Sequence, residues 1–158
     1  MSGKEEKFMT HSPSPEFQAL PITIGERIVG QATVTTAEIA AFARMCGDHN
    51  PLHHDEAYAR GTRFGGIIAG GGQLISLTTG LLATYFTQNS AMLGLEFTFH
   101  FLKAVMAEET IEMEWEVVGK ESKASLGGEI VSLKGKTTNG RGEPVLTVVA
   151  KILVTPNL

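Results

Sequence analysis

Alternation of apolar and polar positions dominates the second half of the chain. Leu93, Leu95, Phe97, Phe99 and Phe101 are interleaved with Gly94, Glu96, Thr98 and His100, the period of two that predicts a strand with one buried face. Ile111, Met113, Trp115 and Val117 alternate with Glu112, Glu114 and Glu116, which predicts a strand turning its charged face to water. Further strands are expected over 129–136 and 145–154, joined by Asn139-Gly140-Arg141-Gly142, a run of turn residues suited to a hairpin. Strands linked in this way form an antiparallel sheet.

The period changes upstream. Leu74, Leu77, Thr78, Leu81, Leu82 and Tyr85 follow Gly70-Gly71-Gly72 at the spacing of one helical face. From Phe64 to Leu95 there is no Asp, Glu, Lys, Arg or His, yet Gln73, Gly80, Gln88 and Asn89 interrupt the stretch too often for a bilayer span. Its remaining faces, with Ile75, Ala83 and Phe86, are also uncharged, so the helix is expected to be enclosed by protein on most sides. Before it, 22–34 reads as a first strand. Thr35 to Glu38 then forms a capping-box sequence, opening a helix through about Met45 with Ile39, Phe42 and Ala43 inward. A short helical turn is expected over 55–60. The economical architecture is α+β, one antiparallel sheet around one apolar helix.

With 158 residues the chain suits a single domain over 19–158, preceded by a disordered leader over 1–18 that mixes charges, serines and prolines. A net charge of −4 and the absence of a basic run argue against nucleic acid as a partner, and no segment suits a membrane span. The single cysteine, Cys46, excludes an intrachain disulfide and fits a reducing cytoplasm.

The candidate chemistry lies in Gly47-Asp48-His49-Asn50-Pro51-Leu52-His53. Pro51 disfavours helical geometry at Asn50, so the segment is expected to bend after Asp48. On a continuous helix Asp48 and His53 would point about 140° apart, and a bend can bring them together. A carboxylate and an imidazole aimed at one point can hold a water between a base and an acid. The plainer reading is a helix stop and turn, since Asp, Asn and Pro favour turns on local grounds. Metal ligation would use His49 and His53, but the proline between them breaks the helix that their spacing needs. Gly70 to Gly72 lacks the Lys-Ser/Thr of a phosphate loop. Trp115 belongs to the core, and His100 falls on the polar face of its strand, solvated or at an interface.

The run Phe42 to His53, followed by Asp55, Ala57 and Ala59, resembles the hydratase signature of the MaoC-like dehydratases and R-specific enoyl-CoA hydratases. The resemblance extends over 22–154, and 64–82 matches the segment leading into the central helix without a gap. It implies a hot-dog fold, a homodimer or dimer of dimers, an acyl-CoA thioester as partner, and no metal or redox cofactor. It also implies hydration of enoyl thioesters to R-3-hydroxyacyl thioesters, or the reverse.

In that family Asp48 and His53 occupy the catalytic positions and Gly71 the oxyanion position, where the free N–H groups of a helix start meet an enolate-like oxygen. Asn50 would orient the turn or the water. Thr79 matches a polar position facing the site. Many members carry histidine where this chain has Gly70, a departure bearing on substrate scope. A hot-dog thioesterase and a non-catalytic acyl-thioester-binding module are the alternative readings.

Overall fold

Val34 ends a strand and Thr35 begins a helix, and the switch is written in Thr35 and Glu38. The Thr35 side chain accepts from the Glu38 N–H at 3.2 Å while the Glu38 carboxylate accepts from the Thr35 N–H at 3.0 Å, completing the predicted capping box. The Thr35 hydroxyl, which also donates to the Glu38 carboxylate at 2.6 Å, and then the Thr35 N–H hold that carboxyl below its ordinary range. The computed structural model describes residues 21–156, so the leader expected over 1–18 lies outside the described residues.

In chain order the elements are β1 (Arg27–Val34), α1 (Thr36–Cys46), a 3-10 turn (Pro51–His53), α2 (Glu56–Arg60), α3 (Gly71–Phe86), β2 (Ala91–Phe101), β3 (Glu109–Lys123), β4 (Gly128–Thr138) and β5 (Pro144–Thr155). The strands form one antiparallel sheet in the order β1-β3-β4-β5-β2, with α3 against it, the hot-dog arrangement of the α+β class. The first strand is shorter than expected. Gly25, at φ +89, turns the chain and its N–H donates to the Val117 carbonyl at 2.8 Å, and the strand itself begins only at Arg27.

The predicted faces of β3 are as read. Ile111, Met113, Trp115 and Val117 are buried, whereas Glu114 and Glu116 pair on the outer face with Arg27 and Lys134. Trp115 anchors the helix to the sheet. Its indole N–H donates to the Thr78 carbonyl of α3 at 2.9 Å, and Leu82 and Phe86 pack in the same cluster. Gly135 sits opposite Trp115 in the β3–β4 register, where a Cβ would come within 2.7 Å of the indole and 2.8 Å of Val148. The ring needs that space. Removing a buried aromatic of this kind costs about 3–5 kcal/mol.

The hairpin between β4 and β5 is organised by Asn139, whose Oδ1 accepts from the N–H groups of Arg141 and Glu143 at 3.1 and 3.0 Å.

One expectation about the apolar elements is corrected. The alternation of β2 does not keep one buried face: Leu93, Leu95 and Phe101 are 44 %, 49 % and 52 % exposed. A bulge between Gly94 and Glu96 shifts the pairing with β5, so Met92 before it and Phe97 and Phe99 after it reach the core. β2 is also an edge strand, open along one side in the single chain. α3 is enclosed on most sides, as expected, and Gly72, Ser76, Gly80 and Thr84 form an exposed stripe of small residues along the remaining face.

Candidate active site

Gly47 sets the position of the site. At φ +70 it is left-handed, and the Asp48 N–H donates back to the Ala43 carbonyl at 2.8 Å while its own N–H reaches Arg44 at 3.2 Å. This paired closure stops α1 on a residue without a Cβ. The bend therefore falls one residue earlier than the proline suggests. Pro51 opens the next element instead, at the start of the 3-10 turn.

Asp48 and Asn50 then fix the turn through their side chains. Oδ1 of Asp48 accepts from the Asn50 N–H at 2.9 Å, and Oδ1 of Asn50 accepts from the Leu52 N–H at 3.1 Å. The orienting role expected of Asn50 is thus a capping hydrogen bond within the turn. One carboxylate oxygen of Asp48 is committed to backbone. The other, Oδ2, lies 3.5 Å from Nε2 of His53.

His53 is buried to 8 % side-chain exposure, and Asp48 is half open at 45 %. The imidazole Nδ1 lies 2.8 Å from the Ile68 carbonyl. A carbonyl can only accept, so Nδ1 carries a proton; in that tautomer of the uncharged ring Nε2 would present a lone pair toward Asp48. The Ile68 N–H in turn donates to the Leu52 carbonyl at 3.2 Å, and Ile68 bridges to Met106. A short extended segment thus grips the histidine turn by both backbone groups.

The two side chains open on a cavity of about 70 Å³ whose walls include Ile39, Phe42, Cys46, Gly70 and Gly72. Liquid water occupies about 30 Å³ per molecule, so the space suits a water and a few substrate atoms. Gly70 stands against the histidine: a Cβ there would meet Nε2 at 3.4 Å. Gly71 opens α3 with Gly70 as its N-cap, and the first N–H groups of a helix have no intrahelical partner. On its other side Gly71 faces Phe101, whose ring would lie 3.0 Å from an added Cβ.

Thr79 is not brought to this cavity. Its hydroxyl donates to the Ile75 carbonyl at 2.9 Å, about 12 Å along the helix from Gly71 by the helical rise. Ile68, by contrast, was not singled out from the sequence, since it contributes through its backbone and leaves no side-chain signature. Among the described residues no group of three or more His, Cys, Asp and Glu side chains is assembled to hold a metal ion, and no helix is long and apolar enough to cross a membrane.

Comparison with known proteins places this geometry in a lineage. An (R)-specific enoyl-CoA hydratase of Aeromonas caviae is 36 % identical over 97 residues, covering 61 % of this chain and 72 % of the relative. A 3-hydroxybutyryl-CoA dehydratase of Methylorubrum extorquens is 27 % identical over 106 residues, covering 65 % of this chain and 67 % of its own. Among solved structures, an (R)-hydratase from A. caviae involved in PHA biosynthesis superposes with a TM-score of 0.75 at 27 % identity, covering 85 % of this chain and 98 % of that one. The model of the MaoC like domain matches residues 19–138, and with the strand order and the helix start seen here the chain belongs to the MaoC-like domain family.

Proposed function

We propose that this chain is a hydro-lyase that adds water to an enoyl-CoA thioester to give the R-3-hydroxyacyl-CoA, or removes it in reverse. The observation that carries the reading is the pairing of two acceptors, Asp48 Oδ2 and His53 Nε2, 3.5 Å apart over one small cavity. A water is the natural ligand for two such acceptors, because it can donate one proton to each and leave an oxygen lone pair free. The names of the relatives from A. caviae and M. extorquens supply the substrate class.

In this mechanism Asp48 takes a proton as the water oxygen bonds to the β carbon, and His53 shares the water and steadies the transfer. The electron pair of the double bond moves onto the thioester oxygen. There the Gly71 N–H donates to the developing charge, aided by the helix dipole. The proton taken from the water is delivered to the α carbon, so both hydrogens of the water end in the product. Such acid–base work contributes roughly 10²- to 10⁴-fold, and one oxyanion donor about 2.7–4 kcal/mol. These steps call for no metal or redox cofactor. A cytoplasmic setting suits the free Cys46 thiol.

The same reading includes a homodimer formed along β2. Leu93 and Leu95 lie exposed on an unpaired edge, and a second copy paired there would cover them.

Incubation with crotonyl-CoA tests the function. Loss of the enoyl absorbance with formation of R-3-hydroxybutyryl-CoA and no free thiol is the expected result. Release of free CoA without a hydroxyacyl product would assign a thioesterase instead, and binding without turnover an acyl-binding module.

A further inference from the structure

Gly70, Gly71 and Gly72 stand in a row, and packing accounts only for the middle one. A Cβ on Gly71 would come within 3.0 Å of the Phe101 ring, tighter than ordinary contact. Gly70, at φ −70 and ψ 145, has extended backbone open to any residue, and Gly72 lies in the first turn of α3 without a positive φ. A Cβ would meet nothing nearer than 3.4 Å at Gly70 and 3.5 Å at Gly72, ordinary contact at both. Neither strain nor crowding calls for glycine there.

Both glycines forgo stability. Gly70 is the N-cap of α3 and gives it no side-chain hydrogen bond, where Ser, Thr, Asn or Asp would supply one. Gly72 leaves the unfolded chain a freedom that alanine would remove. What the two share is the cavity of about 70 Å³ at Asp48 and His53, which both line. The atoms nearest to a Cβ on Gly70 belong to the His53 ring, Nε2 first, and the atom nearest to one on Gly72 is Cε1 of Phe42, another wall of the same space. A methyl at either position would narrow it. The cavity exceeds the roughly 30 Å³ that one water takes in the liquid, and the two missing side chains leave that surplus.

We propose that Gly70 and Gly72 are specificity-determining residues, and that the space they leave takes a methyl branch carried on the reacting double bond of the enoyl thioester. The inference rests on the hydratase reading of Asp48 and His53. In that reading the β carbon comes up to the water between Oδ2 and Nε2, so a group on the double bond is brought to the part of the cavity where Gly70 faces the ring. The branch leaves the chemistry unchanged: the water oxygen bonds to the β carbon, the double bond opens, and the proton lost from the water ends on the α carbon. One methylene more or less in a tight apolar pocket is worth about 10- to 200-fold in discrimination, so a methyl added to the protein should compete with one carried by the substrate.

The test measures initial rates of hydration of crotonyl-CoA, tigloyl-CoA and 3-methylcrotonyl-CoA by the full chain and by its variants Gly70→Ala and Gly72→Ala. Tigloyl-CoA carries the branch on the α carbon and 3-methylcrotonyl-CoA on the β carbon, so the pair tells which carbon the space serves. The native protein is expected to hydrate at least one of them. In each variant the ratio of kcat/KM for that substrate to kcat/KM for crotonyl-CoA is expected to fall by about tenfold or more, and a loss common to both substrates cancels in this ratio. The melting temperature of Gly72→Ala is expected to rise by about 1–4 °C. An unchanged ratio in either variant would overturn the role of that glycine, and in both the whole proposal. A lower melting temperature in Gly72→Ala would mean that this glycine serves the fold, and would overturn its part. If the native protein hydrates none of the three, the hydratase reading fails and the inference with it; if it hydrates crotonyl-CoA alone, only the role of the two glycines falls.

Discussion

The Ile68 carbonyl accepts from His53 Nδ1 at 2.8 Å, and that bond decides which nitrogen the ring offers to Asp48. In the uncharged ring, with the proton held on the Ile68 side, Nε2 meets the carboxylate as an acceptor rather than a donor. A direct neutral hydrogen bond between the two is then unavailable. Nε2 and Oδ2, 3.5 Å apart, line one small cavity, where a third molecule can approach both.

Asp48→Asn isolates the carboxylate's chemistry from its structural duty. An asparagine retains a carbonyl oxygen to accept from the Asn50 N–H, as Oδ1 does at 2.9 Å, so the turn is expected to survive. Hydration of crotonyl-CoA should fall by about 10²- to 10⁴-fold, with the melting temperature little changed. Progress curves of the enoyl absorbance beside a thermal melt check both halves of this expectation.

Gly47→Ala acts on the bend. A Cβ at φ +70 costs about 1–2 kcal/mol, which in a domain of this size lowers the melting temperature by roughly 2–8 °C. Because Asp48 follows directly, kcat should fall as well. Thermal denaturation and turnover measured on the same preparation would reveal both losses.

Leu95→Lys places a charge on the open edge of β2, at the bulge where Leu95 is 49 % exposed. If a second copy pairs along that edge, the substitution should shift the protein from dimer to monomer in size-exclusion chromatography with light scattering. An unchanged native dimer would move the interface elsewhere.

Glu143 links stability to acid. Hydrogen bonds from Asn139, then Lys103 and Arg141, pull its pKa from an ordinary 4.5 to about 2. A depressed carboxylate contributes stability above its unfolded pKa and loses it as the pH falls from there through the folded one. The melting temperature should therefore decline from pH 4.5 toward pH 2 less steeply in Glu143→Gln than in the native chain. Parallel melts across that range measure the difference.

Some of this was legible in the residues and some was not, for identifiable reasons. β3 could be read because four apolar side chains and three glutamates keep strict alternation on a strand without a bulge in that stretch. β2 could not, because the shift at Gly94 and Glu96 reverses the inward parity, and only a glycine hints at it. The enclosure of α3 on most sides could be read from its uncharged faces, but which face stays open could not, since small uncharged residues carry no such signal. The site was visible as Asp48, His53 and the glycine helix start. Its support was not, since Ile68 works through backbone atoms and the strict bend belongs to Gly47 rather than Pro51.

The central claim is that Asp48 and His53 act on one water, and a double-mutant cycle measures it most directly. Crotonyl-CoA hydration is compared in the native chain, Asp48→Asn, His53→Ala and the double variant. Groups that work as a unit are strongly non-additive, so the double variant should be scarcely slower than the worse single one. If the two losses instead multiply, the side chains act independently and the shared water is contradicted.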